Sequence, residues 1–143
     1  MHYKDLKDFG FLNGDNEYII FDNKEKNLSF IKKVPNESGV YIIFANREIQ
    51  RLKGKSNIIY IGKSEALRDR LKDLFMYLLP YGAYDYFRPH TARTAMMKIL
   101  KETNLKLTIS YIKKSNPREF ESRLIVKYCN SHIEPPPLNN QRR

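Results

Sequence analysis

Residues 58–64 read Ile58-Ile59-Tyr60-Ile61-Gly62-Lys63-Ser64, an apolar run that stops at Gly-Lys-Ser and leads into a segment of helical character. Gly-Lys-Ser is also how a phosphate-cradling P-loop ends. Such a loop needs a second glycine five residues before the Gly-Lys pair, so that flexible backbone can wrap its N–H groups round the phosphates. That position is Asn57, and the residues between are β-branched or aromatic, which suits a strand. The second Gly-Lys-Ser, Gly54-Lys55-Ser56, has Ile49 where its glycine would stand. No nucleotide cofactor is expected, and residues 58–61 read as a strand.

Upstream, residues 39–45 (GVYIIFA) are apolar at every position after the glycine. A strand apolar on both faces is usually buried on both sides. The polar, basic connection 46–57 makes an antiparallel pair with 58–61 natural. Downstream, Leu105, Leu107, Ile109 and Tyr111 alternate with more polar residues. That pattern predicts a half-exposed or edge strand over 105–112. Three helices fit the remaining periodicity. Leu67, Leu71, Leu74 and Leu78 recur at helical spacing over 65–79, with Ser64 as cap and Pro80 as stop. Ala92, Ala95, Met96 and Ile99 share a stripe over 91–103. A helix over 117–132 has Ser115 or Asn116 as cap and a proline in its first turn. Pro135-Pro136-Pro137 then forces an extended tail.

The order β-β-α-α-β-α implies an α/β fold, more narrowly α+β, in which a small three-stranded antiparallel sheet is flanked by helices. Residues 39–143 form this domain. Residues 1–38 read as an accessory N-terminal extension packed on it, with a short helix near 3–9, a turn at 13–16 and a strand at 17–22.

The chain of 143 residues carries a formal charge of +10, unevenly placed. Residues 1–38 hold six Lys/Arg against seven Asp/Glu, while 39–143 hold twenty against nine. The positive charge therefore belongs to the predicted domain, and it favours a polyanionic partner, since each neutralised phosphate releases counterions. A merely basic, solvated surface is the plainer alternative. With a single cysteine, Cys129, the chain can form no internal disulfide and no multi-cysteine zinc site. This fits a reducing, cytoplasmic setting. No apolar run approaches a membrane span, and charges at Lys4, Asp5, Lys7 and Asp8 speak against a signal peptide.

Glu121 is the sharpest anomaly. On a helical wheel it falls between Phe120, Leu124, Tyr128 and Ile125, inside the apolar stripe, whereas Glu119 faces solvent. A core-facing carboxylate must be paired, bind a metal or raise its pKa. An internal salt bridge would also satisfy it. Tyr41 and Tyr60 can project from one face of the predicted hairpin, where packing alone would also explain them. Arg68 and Arg70 flank the leucine stripe of the 65–79 helix on opposite sides, and periodicity does not choose between them. His90 stands just before a predicted helix and is either a general base or a surface residue. His2, His132 and Cys129 read as structural.

Taken in order, these residues carry a resemblance. Gly39-Val40-Tyr41, followed on the next strand by Tyr60-Ile61-Gly62-Lys63, closely resembles the signature of the GIY-YIG endonuclease family. Arg70, ten residues after Tyr60, matches the arginine of that family's first helix. Glu121, three residues before Leu124, matches its metal-binding glutamate, and Pro137-Leu138-Asn139 its closing proline-x-asparagine. The stretch from Glu121 to Asn139 is longer than in the shortest members, so Asn140 also competes for that place. Leu74 stands where some members carry a histidine one turn after the arginine, a gap that His90 is the candidate to fill.

The resemblance implies hydrolysis of DNA phosphodiester bonds with one divalent ion, Mg²⁺ or Mn²⁺, bound together with substrate. RNA stays open as a substrate, and sequence specificity would call for a dimer. In this reading Glu121 holds the metal, Arg70 contacts the scissile phosphate, and Tyr41 takes a proton from the attacking water. Tyr60 orients water or phosphate, and Lys63 lowers the Tyr41 pKa. Gly62 lets the phosphate approach the backbone. The alternative is a nucleic-acid-binding module that keeps the fold without catalysis.

Overall fold

The computed structural model describes Met1 and residues 5–22, 25–77 and 104–139. The predicted helix at 91–103, His90, Pro80 and Asn140 lie outside the described residues. The elements are α1 (Asp5–Asp8), β1 (Glu17–Asp22), β2 (Glu25–Lys26), β3 (Gly39–Gln50), β4 (Lys55–Ser64), α2 (Leu67–Tyr77), β5 (Lys106–Lys113) and α3 (Pro117–His132). Short 3-10 turns cover Ser29–Lys33 and Pro137–Asn139. The architecture is α+β, and no helix among the described residues is long and apolar enough to cross a membrane.

The sheet is wider than the three strands that the sequence predicts. Its order is β2-β1-β5-β3-β4, antiparallel throughout, with the two-residue β2 as a ribbon at one margin and β4 at the other. The additional strand β1 comes from the N-terminal extension and pairs with β5 from Glu17↔Ser110 to Asp22↔Lys106. β5 is consequently an interior strand, not the edge strand that its alternation suggests. Its alternate residues Leu105, Leu107, Ile109 and Tyr111 are buried as expected, but Ser110 on the opposite face is buried as well. Leu12 N–H donates to Ser110 Oγ (3.1 Å), so the N-terminal segment covers that face too.

The continuous apolar run of β3 is explained by a core on each side of the sheet. Tyr41, Ile43 and Ala45 enter a core with Leu67, Leu71 and Leu74 of α2 and with Phe30 and Val34. Val40, Ile42 and Phe44 enter a second with Leu6, Phe11, Leu12 and with Phe120, Leu124 and Tyr128 of α3. Residues 1–38 contribute to both.

In β4 the register against β3 slips between Ile43↔Tyr60 and Phe44↔Ile58, leaving Ile59 as an extra residue. Ile59 and Tyr60 therefore share the first core while Ile58 and Ile61 enter the second. The bulge keeps Tyr60 on the same face as Tyr41.

Helix α3 has the bounds read from the sequence, with Pro117 in its first turn. Asn116 occupies the capping position, yet its side chain donates to Glu119 Oε2 (3.0 Å) instead of capping the backbone. Ser64 does act at the start of α2, where its Oγ accepts from Ala66 N–H (2.9 Å). The tail after α3 is not extended to its end. Once past the prolines it tightens into the turn Pro137–Asn139, which aims Asn139 back at β4.

Candidate active site at the end of strand β4

Tyr41 lies in the middle of the first core with none of its surface exposed. Its phenol oxygen accepts a hydrogen bond from Arg70 Nε (3.2 Å), one turn into α2. The Tyr60 ring sits beside it, with centroids 5.9 Å apart and planes tilted by 43°. Of the two flanking arginines, Arg70 is thus the one that turns towards the tyrosines. Arg68 donates its Nε to the Val34 carbonyl (2.8 Å) and ties α2 to the N-terminal segment.

Gly62 stands directly opposite Tyr41 in the β3–β4 ladder. A Cβ at this position would lie 2.5 Å from Tyr41 Cζ and 2.6 Å from its hydroxyl oxygen. The glycine is therefore required by the phenol, which fills the space that the sequence reading reserves for a phosphate.

Burial pushes the Tyr41 phenol well above its ordinary range, and neighbouring Tyr60 pushes it further; Arg70 opposes both. The cation acting on Tyr41 is thus Arg70, not Lys63 as expected from sequence. Lys63 faces outward on β4 and acts on Glu121 instead. Tyr41 pushes the Arg70 guanidinium above its ordinary range, and partial burial opposes this.

Glu121 projects from the first turns of α3, half-buried beside Phe120 and Leu124, while Glu119 is exposed. Burial raises its pKa; Lys63 and then Arg70 pull it back. Its carboxylate makes no hydrogen bond and no ion pair among the described residues. The salt-bridge explanation for this core-facing carboxylate is therefore absent there. Glu121 belongs to the layer of α3 and Arg70 to the layer of α2, yet the charge of Arg70 acts on the Glu121 carboxylate. That influence crosses between the layers at the margin of the sheet formed by β4.

Asn139 completes the arrangement from outside. Ile61 N–H donates to Asn139 Oδ1 (2.9 Å), and Asn139 Nδ2 donates to the Ile61 carbonyl (2.7 Å). Because β4 is the last strand of the sheet among the described residues, these backbone groups have no further strand there to pair with. The amide side chain does that job, which makes Asn139 a positioning residue for β4.

Among the described residues no group of three or more His, Cys, Asp or Glu side chains converges as a ready-made metal site. Glu121 offers one oxygen-donor carboxylate without a competing partner. That suits a hard cation which fills most of its shell with water and phosphate oxygens.

Comparison with protein-family models, with curated proteins and with solved structures gave no match.

Proposed function

We propose that the chain is a metal-dependent endonuclease that hydrolyses phosphodiester bonds of DNA, in the manner of the GIY-YIG family its motifs resemble. The observation that carries this reading is the convergence of Tyr41, Tyr60, Arg70 and Glu121 at one end of β4. The excess of positive charge in residues 39–143 supports a polyanionic substrate.

A phosphodiester repels an attacking nucleophile, so its charge must be met first. Arg70, held cationic and already oriented by Tyr41, contacts the scissile phosphate and takes up charge that develops in the transition state. Lys63 adds a second positive charge at the strand end. Glu121 holds Mg²⁺ or Mn²⁺ through oxygen; when bound, such an ion supplies Lewis-acid stabilisation to the leaving 3′-oxygen. Tyr60, which retains 8% exposure, first releases its own phenolic proton to solvent and then, as the phenolate, takes the proton of the attacking water. Fully buried Tyr41 serves as the fixed acceptor that aims the guanidinium.

The complete burial of Tyr41 also favours a second reading, a nucleic-acid-binding module without catalysis. End-labelled single- and double-stranded DNA and RNA, incubated in Mg²⁺ and in EDTA with wild type and Arg70→Ala, separate the two. The enzyme reading expects products from wild type in Mg²⁺ alone and a loss of about a hundredfold or more in the variant. Salt-dependent binding with no product under any condition would favour the module.

A further inference from the structure

The hairpin joining β3 to β4 ends in Arg51-Leu52-Lys53-Gly54-Lys55. Arg51 N–H closes the turn on the Gly54 carbonyl (2.9 Å), with Gly54 at φ 68°, a conformation that glycine adopts without strain. The tip is then clamped to the chain at the end of α3. Leu52 N–H donates to Glu134 Oε2 (2.7 Å), and Lys53 N–H to the His132 carbonyl (3.2 Å). His132 Nδ1 donates to the Lys53 carbonyl (2.8 Å). Arg51 pairs with Glu134 (3.2 Å) and donates to the Pro135 carbonyl (2.7 Å).

This clamp has two consequences. It ties up the acidic residue of the region, Glu134, and it fixes the backbone on both sides of Leu52. Leu52 is nevertheless 71% exposed. Lys53 follows it directly and Lys55 opens β4, both exposed, and neither ammonium enters an ion pair among the described residues. Ile133, beside the clamp, is exposed as well and holds a left-handed φ of 67°, costly for a β-branched residue. A leucine in a loose loop can fold back onto the protein; this one is held out.

A rigid apolar side chain at the tip of a β-hairpin, with two unpaired cations on the residues that follow it, matches the chemistry of a nucleic-acid duplex. The cations meet phosphates while the apolar group wedges at a base step from the minor groove. The geometry points to the Leu52 tip as a second DNA contact, remote from the cleavage centre; this rests on the nuclease reading. From Lys55 to Gly62 β4 advances by seven residue steps, a span of about 23 Å at the usual strand rise. That corresponds to about seven base pairs of duplex. A duplex lying along β4 with its scissile phosphate at Arg70 meets the tip about that far away.

Fluorescence anisotropy in EDTA over a salt series, with a labelled duplex long enough to span both contacts, tests the assignment. Wild type, Leu52→Ala and the double variant Lys53→Ala/Lys55→Ala are compared. Leu52→Ala is expected to bind about tenfold more weakly at an unchanged salt slope. The double variant is expected to lose about two units from the slope of log affinity against log salt. Both should melt like wild type, because the altered side chains are exposed.

Wild-type affinity and slope in both variants would overturn the tip contact and leave the nuclease reading intact, provided wild type cuts DNA in Mg²⁺. No duplex binding by wild type would overturn both. A change of mass by light scattering in Leu52→Ala, with duplex affinity unchanged, would assign the tip to a protein partner and overturn the proposal.

Discussion

Tyr41 and Tyr60 face the same core, but one is sealed between Gly62 and Arg70 and the other keeps an opening to solvent. Their removal should therefore be felt differently. Tyr60→Phe is expected to lower single-turnover DNA cleavage by about a hundredfold or more with little change in melting. Tyr41→Phe deletes the Arg70 acceptor and should cost about 1 kcal/mol of stability, with a smaller loss of rate. The reverse ranking of rates would return the proton to Tyr41. Gly62→Ala drives a methyl group into the Tyr41 ring and should destabilise by about 1–3 kcal/mol in urea denaturation. Glu121 gives a pH test. Burial raises its folded pKa above the unfolded value, so the folded state holds the extra proton. Stability is then greatest below the unfolded value and falls as pH rises through the raised one. Glu121→Gln should melt higher than wild type at neutral pH, and the gap should close in acid. An equal gap at both pH values would contradict the buried-carboxylate account. The anomaly at Glu121 was legible in sequence because helical period reports which face a residue takes. The partner of Lys63 was not, because period carries no distance between elements.

Helix α3 and the β3–β4 pair were readable because proline placement and apolar runs act locally. β5 was misread because alternation reports which face is buried and not which edge is covered. Its neighbour β1 lies some ninety residues away in the chain. The predicted apolar runs were also shorter than the strands, since ladder bonds continue through exposed polar residues such as Gln50 and Lys55. The Ile59 bulge leaves no sequence signal of its own, yet it fixes the face of Tyr60. At the margin of the sheet, Asn139 stands in for a missing strand. Asn139→Ala should leave both polar backbone groups of Ile61 without their partner and cost about 1–3 kcal/mol. Amide exchange measured by NMR should show Ile61 N–H losing protection, while Ile42 and Ile109 amides keep theirs. Unchanged protection at Ile61 would remove Asn139 from its positioning role.

The molecule as a whole depends on the segment that the sequence marked as accessory. Residues 1–38 supply β1 to the sheet, Phe30 and Val34 to one core, and Leu6, Phe11 and Leu12 to the other. Residues 39–143 produced alone should therefore lack a cooperative thermal transition by circular dichroism, although they hold every candidate catalytic residue. A cooperative melt of that fragment would restore the two-part division. The same layering brings Glu121 from one face of the sheet and Arg70 from the other to the end of β4, and the proposed chemistry depends on that meeting. Its most direct test is the nicking of supercoiled plasmid by wild type and Glu121→Gln, each in Mg²⁺ and in EDTA. The account predicts open-circular DNA from wild type in Mg²⁺ only, and none from Glu121→Gln. Equal nicking by the two proteins, or nicking that persists in EDTA, would contradict it.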